Sequence, residues 1–219
     1  MKCVNLAVAL IAAAGGLVVS PVSHAAACPD VQVVFARGTT EAPGIGRTGQ
    51  AFVDALRDEL GTKTVDVSAV DYPASTDFPT GVQGVVDGST QVATVAANCP
   101  NTKLVLGGYS QGAAVVGFVT ADAIPGGYTI PPGTPLPLPG GVADHVAAVA
   151  LFGKPSPKFM AAIGQPSVPI GPAYVGKTID LCAGGDPICS LEGGNSAAHS
   201  MYARNGMVAQ AADFVAKRL

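Results

Sequence analysis

The sequence predicts an α/β domain with a mainly parallel sheet covered by helices on both faces. Three observations point there. Short apolar runs that suit strands buried on both sides recur along the chain, among them Val31–Ala36, Lys103–Tyr109 and Val146–Phe152. Segments of helical periodicity separate them, the alternation expected of βαβ units. The composition is that of a packed core joined by turns, with 48% hydrophobic and 12% charged residues and with 28 Gly and 18 Pro among 219 residues. A chain so poor in charge is not a solvated disordered one, and its length favours one domain.

In chain order, Val31–Ala36 is a buried strand bounded by Pro29 and Gly38. Gln50–Leu60 is a helix, because Phe52, Val53, Leu56 and Leu60 fall on one face. Thr64–Val70 alternates as a strand does. Ser89 is a candidate N-cap for a helix through Asn98, with Val92, Val95 and Ala96 inward. Lys103–Tyr109 is a strand and Gln111–Ala123 a helix rich in Ala and Val. Val146–Phe152 and Thr178–Cys182 are the remaining strands. His199–Leu219 reads as mostly helical, with Val208, Ala212, Val215 and Leu219 on one stripe and Gly206 as a candidate break. Residues 125–141 carry six Pro and five Gly and read as an extended surface loop. A helix after a parallel strand runs back toward that strand's start, away from the edge where ligands bind. The loop is therefore expected on the far side, as a surface insert and not a lid.

The N-terminus has the pattern of a signal peptide, residues 1–27. Lys2 is the only charge before Asp30, Val4–Val19 is apolar, and Ala25–Ala27 is a small-residue cleavage site. The apolar run is short of the ~20 residues of a membrane span, which weighs against a retained anchor. The remainder, residues 28–219, is then a single exported domain. Its four cysteines, Cys28, Cys99, Cys182 and Cys189, suit two disulfides in that setting. Cys182 and Cys189 are close enough in sequence for a local bridge, which leaves Cys28 for Cys99. No C-x-x-C pair supports a zinc site. With a net charge of -3 and scattered Lys and Arg, the chain has no basic footprint for nucleic acid.

The chemistry gathers around Gly108-Tyr109-Ser110-Gln111-Gly112. This is G-x-S-x-G between an expected strand and an expected helix, the context of a nucleophile elbow. A serine hydroxyl needs a base. Of the three histidines, His24 lies in the signal segment and His145 at the entry to a strand, near the opposite sheet edge. His199 remains. Asp186, after the last strand and inside the Cys182–Cys189 ring, is the acid best placed to orient it, with Glu192 as fallback; Asp180 lies within the strand and Asp144 at the far edge. The order Ser110, Asp186, His199 is that of α/β-hydrolase enzymes. An oxyanion hole would use the Gln111 N–H and the turn Arg37–Glu41. Gly44-Ile45-Gly46-Arg47-Thr48-Gly49 fits G-x-G-x-x-G, yet it does not follow its strand directly, and a dinucleotide reading is disfavoured.

These residues resemble the cutinase family of serine esterases, in its actinobacterial, especially mycobacterial, form. The resemblance rests on Val33–Glu41, on Gly107–Gly112, and on Asp186-Pro187-Ile188-Cys189 with His199 downstream, and covers nearly the whole mature chain. It implies a lidless α/β-hydrolase fold with a central five-stranded sheet. It also implies Ser110 as nucleophile, His199 as base, Asp186 as its partner, and an oxyanion hole of Thr39 and the Gln111 N–H. Fungal relatives usually have Ser at the Thr39 position. The two disulfides match the family, while residues 125–141 are longer than it leads one to expect. Phe78, Ile188 and Leu191 lie on loops that the family places beside the serine and are candidate substrate contacts. The implied activity is hydrolysis of short to medium acyl esters, with lipids of the cell envelope or of a host among the candidate substrates, by a secreted monomer with no metal or organic cofactor. Acetylxylan esterases share the elbow, so a carbohydrate deacetylase is the first alternative. A catalytically silent exported binding or antigenic protein is the second.

Overall fold

Five strands form one parallel sheet: β1 (Val31–Ala36), β2 (Val65–Ala69), β3 (Lys103–Tyr109), β4 (Val146–Phe152) and β5 (Thr178–Leu181). The computed structural model describes residues 27–124 and 126–219, so the expected signal peptide lies, but for its last residue, outside the described residues. Side chains of the central strands β1, β3 and β4 alternate between two cores. Val31, Val33 and Phe35 of β1 enter one, and Val34 and Ala36 the other; in β4, Ala148, Ala150 and Phe152 oppose Val149 and Leu151. This double burial is why the central strands read as unbroken apolar runs.

Helices α1 (Gly46–Leu60) and α7 (Met207–Ala216) cover the face that holds Phe35 and Phe152. Helices α2 (Gly81–Asn98) and α3 (Gln111–Val119) cover the other. Three short α-helices, α4 (Val142–His145), α5 (Pro157–Ala162) and α6 (Pro172–Val175), and two 3-10 turns, Phe78–Thr80 and Ala198–Ser200, complete the described elements.

The sheet order is β2-β1-β3-β4-β5. The chain runs outward from β1 to β2, then returns to the other side of β1 to form β3. Loops leaving β1 and β3 therefore diverge, opening a crevice at the carboxyl ends of the strands. This switch point is where open α/β sheets bind ligands. Ser110 follows β3 and Arg37–Glu41 follow β1, so both border it. His145 ends α4 just before β4, at the opposite edge, as the sequence suggests.

Several boundaries differ from expectation. Helix α2 begins at Gly81, well before Ser89. Gly84 and Gly88 disguise this half of the helix, because glycine is a poor helix former. Packing requires them: a Cβ on Gly84 would lie 2.9 Å from the Tyr72 ring and 3.2 Å from Val115, and one on Gly88 would lie 3.2 Å from Val119. Helix α3 stops at Val119, short of Ala123. The last segment is not one helix: His199 sits in a 3-10 turn, Ala198–Ser200, and α7 begins only after Gly206, whose φ is 86°.

Most of the described residues of 125–141 are exposed, as expected of a surface loop, but the expected position is overturned. The segment does not stay on the far side. Leu136 is buried, and Ile130 and Leu138 pack on the core beside α2 and α3. These apolar residues among the prolines draw the chain back along α3, where Tyr128, Ile130 and Leu136 join the wall of the cavity at Ser110. The cysteines pair as the spacing suggests, Cys28 with Cys99 and Cys182 with Cys189.

Candidate active site

Ser110 stands between the last residue of β3 and the first of α3. Its φ is 56°, a positive value costly for a residue with a Cβ. Hydrogen bonds impose it: Ser110 N donates to the Phe152 carbonyl at 2.9 Å, while Ala113 and Ala114 N–H groups donate back to the Ser110 carbonyl at 2.9 and 3.2 Å. The flanking glycines are steric necessities. A Cβ on Gly108 would lie 2.3 Å from the Gly112 carbonyl oxygen, and one on Gly112 would lie 2.0 Å from that of Ala36.

His199 meets this hydroxyl. Its Nε2 is 2.8 Å from Ser110 Oγ and its Nδ1 is 2.8 Å from Asp186 Oδ2. With the proton on Nδ1, the ring donates to the carboxylate and accepts from the serine. Asp186 is fully buried, and each of its oxygens is partnered. Oδ1 accepts the Ile188 N–H at 2.8 Å, and Oδ2 also accepts the Tyr202 hydroxyl at 2.6 Å. Burial and the hydrogen bond to the Asp186 carboxylate push the Tyr202 phenol far above its usual range, so it remains a donor. Tyr109 Oη donates to the His199 carbonyl at 2.6 Å, with its ring centroid 5.1 Å from the imidazole. Burial, with the negative charges of Glu41 and Asp186, pushes that phenol up to about 12. The other acids lie elsewhere: Asp180 pairs with Lys154 at 3.2 Å, and Glu192 is exposed.

The turn after β1 is braced from both sides. Arg37 is buried; its Nε donates to the Glu41 carbonyl at 2.9 Å and its Nη2 to the Tyr72 carbonyl at 2.6 Å. The Glu41 carboxylate accepts the Gly38 N–H at 2.7 Å and the Arg47 N–H at 2.9 Å. The latter bond disposes of the dinucleotide reading, since the protein's own carboxylate occupies the start of α1. Thr40 has φ 63° and donates its N–H to the carbonyl of Ala74, whose φ is 50°, at 2.6 Å. Among the described residues, the non-glycine residues of positive φ are thus Ser110, Thr40 and the latter's partner Ala74. Strain of this kind concentrates at functional sites. Thr39 Oγ1 donates to Gln111 Oε1 at 3.3 Å, and Gln111 Nε2 to the Ser75 carbonyl at 3.2 Å. The backbone N–H of Gln111, first in α3, has no intrahelical acceptor.

Beside the serine lies a cavity of about 320 Å³, with Thr39, Ser110, Gln111 and His199 at its polar end. Phe78 and Ile188 line it as expected, whereas Leu191 is 66% exposed and outside its wall. The sequence reading missed Val82 and Val85 of the early turns of α2, and Phe159 and Met160 of α5. Ser156 and Pro157 are the available signals for α5: the Ser156 side chain accepts the Phe159 N–H as an N-cap, and proline is favoured at the first helical position. Among the described residues, no group of three or more His, Cys, Asp or Glu side chains is placed to hold a metal ion. No helix among them is long and apolar enough to cross a membrane.

Fold and site together define an α/β-hydrolase. The model of the family described as Cutinase matches residues 27–219. A probable carboxylesterase, Culp5 of Mycobacterium tuberculosis, is 60% identical over 174 residues, which span 80% of this chain and 98% of that one. Among solved structures, Trichoderma reesei cutinase in complex with a phosphonate inhibitor is 37% identical with a TM-score of 0.64, over 87% of this chain and 76% of the other. An acetylxylan esterase superposes with a TM-score of 0.72 at 26% identity, over 88% of this chain and 99% of its own. The chain belongs to the cutinase family, and with it to the carboxylic ester hydrolases.

Proposed function

We propose that this chain is an exported serine esterase for short to medium acyl esters. The observation that carries the reading is the unbroken hydrogen-bonded line from Asp186 through His199 to Ser110, ending at an apolar cavity. Ser110 Oγ attacks the ester carbonyl while His199 Nε2 takes its proton, and Asp186 stabilises the imidazolium that results. The tetrahedral oxyanion is held by the Gln111 N–H and by Thr39, whose hydroxyl exchanges Gln111 Oε1 for the developing charge. His199 returns the proton to the leaving alcohol and the acyl-enzyme remains. Water, deprotonated by His199, then releases the acid and restores Ser110. Each proton passes through His199, so the cycle needs no other group. Residues 1–27 direct export, and the two disulfides suit the oxidising surroundings beyond the cytoplasm. The working form is a monomer.

The deacetylase alternative draws support from the acetylxylan esterase likeness. An acetyl group, however, has no use for a long apolar wall, and that favours longer acyl chains. The test is hydrolysis of p-nitrophenyl esters from acetate to palmitate and of acetylated xylan, with Ser110→Ala beside the wild type. The expected result is a medium-chain optimum that falls by roughly a millionfold in kcat in the variant. Preference for acetylated xylan would establish the alternative. A folded, oxidised protein inert toward every ester and unlabelled by an organophosphonate would overturn both.

A further inference from the structure

The cavity is longer than the reacting ester group needs. Gln111, Ala114, Val115 and Phe118 all line it. Their spacing of i, i+3, i+4 and i+7 puts them on one stripe of α3. The floor of the cavity is therefore that stripe, running about 10 Å along the helix axis from the Ser110 end to Phe118 at ~1.5 Å per residue. Its walls come from Val82 and Val85 of α2, from the segment after α3, with Ile124, Ile130 and Leu136, and from α5 and the residues behind it. At the level of Phe118 the last two are joined. The Tyr128 ring lies 6.3 Å from that of Phe118, centroid to centroid. The Tyr128 hydroxyl donates to Gln165 Oε1. The backbone N–H of Gln165 is in turn tied to the Met160 carbonyl at 2.9 Å, which anchors it to α5. Burial raises the Tyr128 phenol, which keeps it a donor.

We propose that the Tyr128–Gln165 bridge is the end stop of an acyl-binding trough along α3, and that it sets the longest acyl chain the enzyme accepts. The inference rests on the ester-hydrolase reading above and adds the residues that select chain length. A chain whose carbonyl sits at Ser110 lies over Ala114 and Val115 and meets the bridge at Phe118. A longer chain must break a hydrogen bond between otherwise apolar walls or leave the trough for water. Either costs binding energy for each further methylene, so the preference falls beyond medium lengths.

The test compares kcat/KM for p-nitrophenyl octanoate and palmitate in wild type, Tyr128→Ala, Tyr128→Phe and Gln165→Ala. Thermal melts run alongside establish that each variant is folded. The palmitate-to-octanoate ratio is expected to rise about tenfold or more in Tyr128→Ala, since one methylene of pocket space is commonly worth ~10-fold or more. Tyr128→Phe, which loses one oxygen and keeps the fold's packing, and Gln165→Ala are expected to raise the ratio in the same direction by a smaller factor. A ratio unchanged in all three variants of an active enzyme would overturn the end stop and leave the esterase reading standing. Equal loss on both esters would overturn it too, because it would reveal a purely structural role. Absence of any esterase activity in the wild type would remove both.

Discussion

Tyr202 Oη lies 2.6 Å from Asp186 Oδ2, the same oxygen that faces His199 Nδ1 at 2.8 Å. The phenol also accepts the Ala183 N–H at 3.0 Å. One buried hydroxyl thus links the end of β5 to the acid of the site and fixes the direction of the carboxylate. Tyr202→Phe keeps the ring and removes a hydrogen bond to a charged group, a contribution of ~1.5–3 kcal/mol. The expected outcome is a kcat lowered about tenfold with KM unchanged, because the carboxylate then has freedom to turn from the imidazole. Steady-state kinetics well below the melting temperature checks this. Reduced stability with normal kcat would limit Tyr202 to a packing role.

The elbow makes a stricter steric demand. A Cβ on Gly112 would lie 2.0 Å from the Ala36 carbonyl oxygen and 2.4 Å from that of Arg37. Both are backbone atoms of β1 and its turn, so neither can step aside. Gly112→Ala is expected to destabilise the fold by ~3 kcal/mol or more, at the severe end for one added methyl. Gly176 is the contrast: its φ is −69°, and nothing lies within 4 Å of its would-be Cβ. Gly176→Ala is expected to be neutral or stabilising by up to ~1 kcal/mol. Denaturant midpoints of the two variants measure both.

The disulfides differ in what they hold. Cys28–Cys99 joins the chain before β1 to the end of α2, at the sheet edge opposite Ser110, and closes a span of 71 residues. Cys182–Cys189 spans only 7 residues but encircles Asp186. Chain entropy assigns ~4 kcal/mol to the first and ~2.5 kcal/mol to the second. Replacing both cysteines of a pair by Ala is therefore expected to give opposite orders for stability and activity. The Cys28/Cys99 variant should lose more stability and keep its kcat at 25 °C; the Cys182/Cys189 variant should lose less stability and more kcat.

What the sequence made legible follows from where its signals are local. Strands buried on both faces are apolar runs, so β1, β3 and β4 were readable to the residue. The elbow is a local steric pattern, and with only three histidines in the chain the partner of Ser110 followed by elimination. Helix α2 hid behind Gly84 and Gly88, whose reason is a distant contact with Tyr72 and Val119. Residues 125–141 were misplaced because Pro and Gly dominate the local pattern, while the destination is set by Ile130, Leu136 and Leu138. Tyr109 and Tyr202 gave no signal at all, since each acts through a hydroxyl whose partner lies 90 or 16 residues away.

Those tyrosines also bear on the stability of the fold at alkaline pH. An unfolded tyrosine ionises near pH ~10, while folded Tyr109 is pushed up to about 12, chiefly by burial. Tyr72 and Tyr202 are displaced further in the same direction, again chiefly by burial. Above the unfolded value the unfolded chain has released these protons and the folded chain has not. The unfolded state then binds fewer protons, so stability falls as pH rises. The stabilisation is fully present below pH ~10 and is lost through the folded values above it. Guanidinium midpoints are therefore expected to decline from about pH 10 upward, as these three phenols titrate in the unfolded chain. Tyr109→Phe removes one of them, together with its hydrogen bond to the His199 carbonyl. It should start less stable at pH 8 and lose less between pH 10 and 12, so the two curves converge. Parallel curves would mean that Tyr109 keeps an ordinary phenol and that the alkaline transition has another source.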